Sequence, residues 1–303
     1  MGLTKHTPKP TPEPRAAAIH IHRITDLEGC RHFQMLDRLV WGSEPLDLVP
    51  NHITVTVVKN GGLLLGAFAA DGPTETGGMV GAAFGWLGTG VDPAQPGQGP
   101  RIKFCSHMAG VLPAWQGLHI GLRLKLAQRR EVLAQGLTDW MTWTYDPLYR
   151  RNGVFNIHRL GATCSTYVRN MYGELQDVLN GGVPSDRCEV DWRLTSPHVL
   201  HELEPRRPTQ AWDGAMLQLL PATLDDRAFA VPGDPAPAFD GRGLAVPIPD
   251  DIAAIRRADP DLARAWRLYL RAVLETAFAT GYTMVDCVHL GAHGWRYILV
   301  REY

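Results

Sequence analysis

Apolar positions recur along the chain with two periods, and the switches between them lay out the elements. Residues 17–23 alternate apolar and polar and predict a strand. Thr25 or Asp26 can then cap a helix with the stripe Cys30, Phe33, Leu36 and Val40, ending near Trp41-Gly42. Residues 44–50 read as a short connector with room for one helical turn. Two β-branched and apolar runs, 53–59 and 62–70, flank Asn60-Gly61, which predicts a hairpin. Residues 79–87 predict another strand, with Gly81, Ala82 and Ala83 leaving room on one face. A glycine- and proline-rich surface loop covers 89–100. The run 101–112 enters a further strand.

After that strand the period changes to helical. Leu122, Leu126 and Leu133, flanked by Leu124 and Ala127, predict an apolar stripe, with Arg123, Lys125, Arg129 and Arg130 on other faces. Gly136 stands where a left-handed C-terminal cap is expected. Residues 110–121 (GVLPAWQGLHIG) thus form a glycine-containing turn between strand and helix N-terminus. Such a turn gathers unpaired backbone N–H groups, and the helix dipole adds positive charge, so it suits an anion such as phosphate. A glycine-containing turn is also often only a turn. Further on, 138–145, 163–170 and 188–194 predict strands, with 152–162 helical.

The tail repeats this rhythm. Residues 215–220 and 244–248 predict strands around a Pro-, Asp- and Gly-rich excursion at 225–243. Asp259-Pro260 predicts an N-cap followed by a first-turn proline. The helix it opens carries Leu262, Trp266, Tyr269, Val273 and Ala277, with Gly281 as cap. Two strands, 282–290 and 295–300, close the chain.

Several motifs in this order carry a family resemblance. Val111-Leu112-Pro113 followed by Gln116 and Gly121 resembles motif A of the GNAT acyltransferases, usually Arg/Gln-x-x-Gly-x-Gly/Ala. His119 replaces the middle glycine. NGVFNIHRLGA at 152–162 resembles the family's fourth helix, with Ile157 where its tyrosine normally stands. The resemblance covers roughly residues 17–195. It implies an α/β (α+β) fold: a mixed, mostly antiparallel sheet with splayed central strands flanked by helices, here with a C-terminal β-α-β-β extension. The expected domains are a disordered tail at 1–16, the GNAT domain at 17–195 and an extension at 196–303, a partial GNAT-like half.

Composition narrows the partners. The 303 residues hold 30 basic and 31 acidic side chains, and a formal charge of −1 argues against a general grip on nucleic acid or an anionic membrane. The 45% hydrophobic content allows a sizeable core. Five widely spaced cysteines, with no C-x-x-C pair, suggest neither a metal site nor a disulfide scaffold, and fit reduced thiols in a cytoplasm. Residues 7–14 (TPKPTPEP) form a proline-rich tail, not a signal peptide. No apolar run reaches the roughly 20 residues of a membrane helix.

The resemblance also implies a chemistry: acyl transfer from acetyl-CoA or another acyl-CoA, such as succinyl-CoA, to an amine. The backbone at Gly110 and Val111 would bond pantetheine and polarise the thioester, and amides from Gln116, Gly117, His119, Ile120 and Gly121 would hold the pyrophosphate. Asn152 or Asn156 would reach the pantetheine arm. A first helical turn has negative φ, which any residue adopts, so His119 either touches phosphate or faces solvent. For proton transfer the candidates are His107, Tyr145 and Asp146. Each also has a plain reading, as a hydrogen-bonded histidine, an aromatic packed on Pro147 and a turn residue. Asp186-Arg187 is either an internal salt bridge or a carboxylate grip. The expected partner is a small-molecule amine, an amino acid among the candidates, with no metal and a homodimer left open. A non-catalytic acyl-CoA sensor and an aminoacyl transferase of the tandem-GNAT kind are the alternatives.

Overall fold

The computed structural model describes residues 18–42, 48–173, 184–205, 211–212, 216–234, 236–237 and 239–301. The proline-rich tail and 43–47 of the connector lie outside them. The chain divides into two units, Met1–Gly90 with Pro100–Thr138, and Val91–Gly99 with Asp139–Tyr303. Residues 196–303 fall in the same unit as 139–195.

In the first unit, strand β1 (His20–Arg23) leads to Asp26, whose side chain accepts from Gly29 N and caps helix α1 (Leu27–Trp41). Cys30, Phe33 and Leu36 of the expected stripe are buried, and Gly42 closes the helix in the left-handed conformation. The expected hairpin at 53–70 is corrected: Asn51–Lys59 is helix α2, and only Leu63–Phe68 is a strand, β2. Thr54 and Val58, one turn apart, are its buried positions, and Thr54 and Thr56 bond back to the carbonyls of Pro50 and His52. Burial at helical spacing overrides the β-branched preference of this run.

Strand β3 (Met79–Val91) and β4 (Pro100–Val111) run further into the expected loop than the sequence suggested. The order is β1-β2-β3-β4, with β1/β2 and β2/β3 antiparallel. Helix α3 (Ile120–Gln135) follows, ended by Gly136 at φ +67°. Its buried face is a second correction. Ile120, Leu124, Ala127 and Val132 go inside with Lys125 and Gln128, while Leu126 is exposed. Lys125 is buried because Ser106 Oγ and Gln128 Oε1 accept its Nζ at 2.8 and 3.3 Å.

The second unit builds one sheet in the order β5-β7-β6-β12-β13-β11-β8. It comprises β5 (Trp140–Tyr145), β6 (Thr163–Val168), β7 (Arg187–Arg193), β8 (Leu217–Leu219), β11 (Gly243–Pro247), β12 (Thr283–His289) and β13 (Trp295–Val300). Its pairs are antiparallel except β11/β8. A separate hairpin, β9 (Ala222–Leu224) with β10 (Ala230–Pro232), occupies the start of the expected excursion. The helix expected at 152–162 is instead one α-turn, α4 (Arg150–Gly153), continuing as a π-helix over Val154–Arg159. Two short helices escaped the pattern, α5 (Pro197–Glu202) capped by Ser196 and α6 (Ile252–Ala258) capped by Asp251. Asp259 caps α7 (Pro260–Ala279) as expected. All five cysteines are free, and no helix among the described residues is long and apolar enough to cross a membrane.

Candidate functional site

Strand β4 changes phase partway along, which decides what its end presents. Ser106 faces α3, because its hydroxyl meets Gln128 at 2.8 Å. In a regular strand Gly110, four residues on, would face the same way. A Cβ at Gly110 would instead meet the Trp41 ring and Val40 of α1, at 2.5 and 2.9 Å. The pairing with β3 agrees. A Cβ on Gly85 would lie 2.4 Å from Cys105 O and one on Gly81 3.0 Å from Gly110 O, so five residues of β4 oppose four of β3. This is a β-bulge between Cys105 and Gly110, and a bulge leaves a residue out of the ladder. Gly110 and Val111, expected to bear the thioester-polarising amides, follow it directly.

The chain then makes a short 3₁₀ turn at Pro113–Trp115, anchored by buried Trp115, and enters the glycine turn. Gln116 Nε2 donates to Val111 O at 3.2 Å, tying the turn to the strand end. Gly117 has φ +83° with open space around it. His119 corrects the sequence expectation. It sits at φ +56°, the left-handed conformation that glycine takes without strain, not the negative φ of a helical turn. The histidine thus occupies a glycine conformation where motif A has glycine. Arg123 N→His119 O is the first bond of α3. The amides of Ile120, Gly121 and Leu122 precede it and fall among the N-terminal donors with no intrahelical acceptor. No side chain caps the helix, and no acidic residue occupies its first turn. Gln116, Gly117 and His119 are exposed, Gly121 is half-buried and Ile120 is buried. The arrangement offers an anion several donors and the positive end of a dipole.

His107 lies on β4 before the bulge, facing α1, its ring 5.0 Å from Trp86 and 6.4 Å from Phe84, centroid to centroid. One side of the imidazole is open to solvent, while the protein around the rest lowers its pKa by desolvation. The charge of Asp37, buried on α1, opposes that shift. His107 is therefore neutral near pH 7 and able to accept a proton. Four strand residues, about 13 Å, separate it from Val111. Sequence reasoning missed Trp86 and Trp41. The available signal was a tryptophan at period 2 with Phe84 in a strand of otherwise small residues.

The remaining candidates belong to the second unit. The structure buries Tyr145 and Asp146, expected beside an open cleft. Tyr145 donates to Met284 Sδ at 3.5 Å, and burial raises its pKa, so the phenol stays protonated. Asp146 accepts both terminal nitrogens of Arg267, at 2.9 and 2.6 Å, and Leu148 N at 2.9 Å. Asp186 is likewise internal, bound by Arg271, Tyr167 and Asn170 N. Arg187 points to Asp146 at 3.6 Å. Asn156 is buried on the π-helix and accepts Trp143 Nε1 at 3.0 Å, while Asn152 is exposed. Among the described residues no cluster of His, Cys, Asp or Glu suits a metal ion.

Comparison with models of known protein families and with curated proteins gave no match. Among the solved structures with a similar course of chain are acetyltransferases. They include a GNAT-family protein from Desulfovibrio desulfuricans, 14% identical over 58% of this chain and 99% of its own, with TM-score 0.40. Arabidopsis thaliana NAA60 in complex with acetyl-CoA is 11% identical over 58% and 99%, with TM-score 0.44. An IAA acetyltransferase from Bacillus cereus is 15% identical over 57% and 97%, with TM-score 0.39.

Proposed function

We propose that the chain is an acyl-CoA-dependent N-acyltransferase of the GNAT kind. The observation that carries this reading is the bulged end of β4 running directly into an uncapped helix N-terminus. One short segment thereby offers strand amides to a thioester and pantetheine, then helix amides to a pyrophosphate. Gly110 and Val111 take the first role, and Gln116 to Gly121 the second. In the reaction the amine arrives as an ammonium ion and gives up one proton, with His107 as acceptor through water. Its nitrogen attacks the thioester carbon, the C–N bond forms and the C–S bond breaks. The second amine proton goes to the departing thiolate, giving amide and free CoA. Tyr145 and Asp146 have no part in it, since both are engaged in a packed core. In this reading the group transferred is an acetyl or a succinyl-type group.

CoA binding tests the reading. A ligand at 100 times its dissociation constant adds about 2.7 kcal/mol to stability, which raises the melting temperature. Gly121→Glu puts a carboxylate among the anion-binding amides and is expected to abolish that rise. A variant that still responds to CoA like the parent chain would remove the central claim.

A further inference from the structure

The face of β4 turned towards α1 has a character of its own. Trp41, the last residue of α1, packs over Gly110. Trp86 pairs with His107. Gly110 and His107 are three residues apart, about 10 Å of strand. Both indoles are half-buried, and His107 and Ala109 are exposed. Asp37 lies one turn before Trp41 on α1, so the two share a helix face. Asp37 is fully buried, accepts Val49 N at 3.3 Å, and its charge is felt at the His107 ring. Two half-buried indoles beside this stretch, with the charge of a buried carboxylate felt at His107, form an environment of negative potential with apolar walls. Indole is the best aromatic partner for an organic cation, and the carboxylate adds to the attraction.

We infer that this face receives the acyl acceptor and selects a cationic primary amine with an apolar body and no carboxylate beside the amine. The inference rests on the reading of the chain as an N-acyltransferase. Such an amine arrives as an ammonium ion, lies against Trp86 and Trp41, and passes its proton towards His107 before attacking a thioester held at the bulge. An amino acid with the same body brings a carboxylate into the field of Asp37 and is disfavoured. Trp86 and Trp41 then set acceptor specificity, and Asp37 acts through space as a positioning charge.

Phenethylamine and phenylalanine form a matched pair that differs only in the carboxylate. Their binding is read without donor by titration calorimetry, and their acetylation by release of free thiol from acetyl-CoA. Phenethylamine should bind at least about tenfold more tightly, equivalent to about 1.4 kcal/mol. Trp86→Ala should weaken its binding by about tenfold, while Trp86→Phe recovers most of the loss and the CoA-induced rise in melting temperature stays unchanged. Circular dichroism checks that both variants are folded. Equal or tighter binding of phenylalanine overturns the inference, as does an unaltered phenethylamine affinity in folded Trp86→Ala. Acetyl transfer to phenylalanine as efficient as to phenethylamine also overturns it, and leaves the acyltransferase reading standing. Trp86-dependent binding of phenethylamine with no thiol release from either acetyl-CoA or succinyl-CoA supports the selectivity of the face and sinks the acyltransferase reading.

Discussion

Removing Asp146 separates a catalytic role from a structural one. Its carboxylate and the Arg267 guanidinium form a two-bond fork, with side chains 6% and 1% exposed. The burial of Arg267 would lower its pKa, yet the facing Asp146 charge leaves it raised, so the guanidinium is a permanent cation in the core. Asp146→Ala leaves that cation without its fork partner and also takes the acceptor from Leu148 N. Breaking a buried pair from one side typically costs about 3–5 kcal/mol, most of it the penalty of the abandoned charge. Replacing both members with apolar residues is milder, because both charges of the fork are removed and only the longer contact of Asp146 with Arg187, at 3.6 Å, is lost. In urea unfolding, Asp146→Ala is expected to lose about 3–5 kcal/mol, and Asp146→Ala with Arg267→Met to recover at least half. CoA-induced stabilisation of the folded fraction should persist in both. A loss below about 1 kcal/mol in the single variant, or a double variant no better than the single, would refute this energetic account. A single variant of unchanged stability that fails to turn over acyl-CoA would return Asp146 to the catalytic machinery.

Three further outcomes follow from the same geometry. Burial pushes the Asp191 carboxyl up from 3.8 to about 6, against the opposing Trp140 N–H and Arg193, so the folded state holds its proton more tightly than the unfolded. Its contribution, of order 3 kcal/mol, is full below about pH 4 and lost as pH rises through 6. Asp191→Asn should flatten that part of the melting profile, and parallel profiles for variant and parent would refute the assignment. Because His119 occupies a left-handed conformation, His119→Gly should be neutral or stabilising by up to about 1 kcal/mol in urea, whereas His119→Val should be clearly destabilising. The reverse order would contradict the backbone geometry. His107→Ala should cut acyl transfer by about two orders of magnitude, with recovery at alkaline pH where the amine is already neutral, and with CoA binding unaltered. Parent-like rates across the neutral range would move the proton transfer to water alone.

What the sequence disclosed, and what it hid, follows from the distance over which each feature is determined. The turn from Gly110 to Gly121 was legible because glycines, a capping position and a change of period are local signals. So were Asp26 before α1 and Asp259-Pro260 before α7, whose side chains do cap those helices. Helix α2 was not, since Ile53 to Val58 carries the composition of a strand, and only packing at Thr54 and Val58 decides for helix. The bulge in β4 was hidden for a related reason. It is a mismatch with β3, and no residue within 101–112 announces it.

The acids at the ends of two strands make the same point over a longer range. Asp146 follows β5 and Asp186 precedes β7, each beside residues that read as a site lip or a ligand grip. Their partners, Arg267 and Arg271, stand 121 and 85 residues away in sequence, one turn apart on α7. One helical face thus neutralises both carboxylates, while β12 of the same tail pairs with β6. Tyr167 and Asn170 N complete the shell of Asp186, and Leu148 N that of Asp146. A polar residue at a strand end is equally suited to chemistry and to an ion pair, and local sequence cannot separate the two. Here the tail separates them: by supplying the buried guanidinium groups it turns both acids into packing, which leaves His107 as the remaining candidate for the proposed proton transfer.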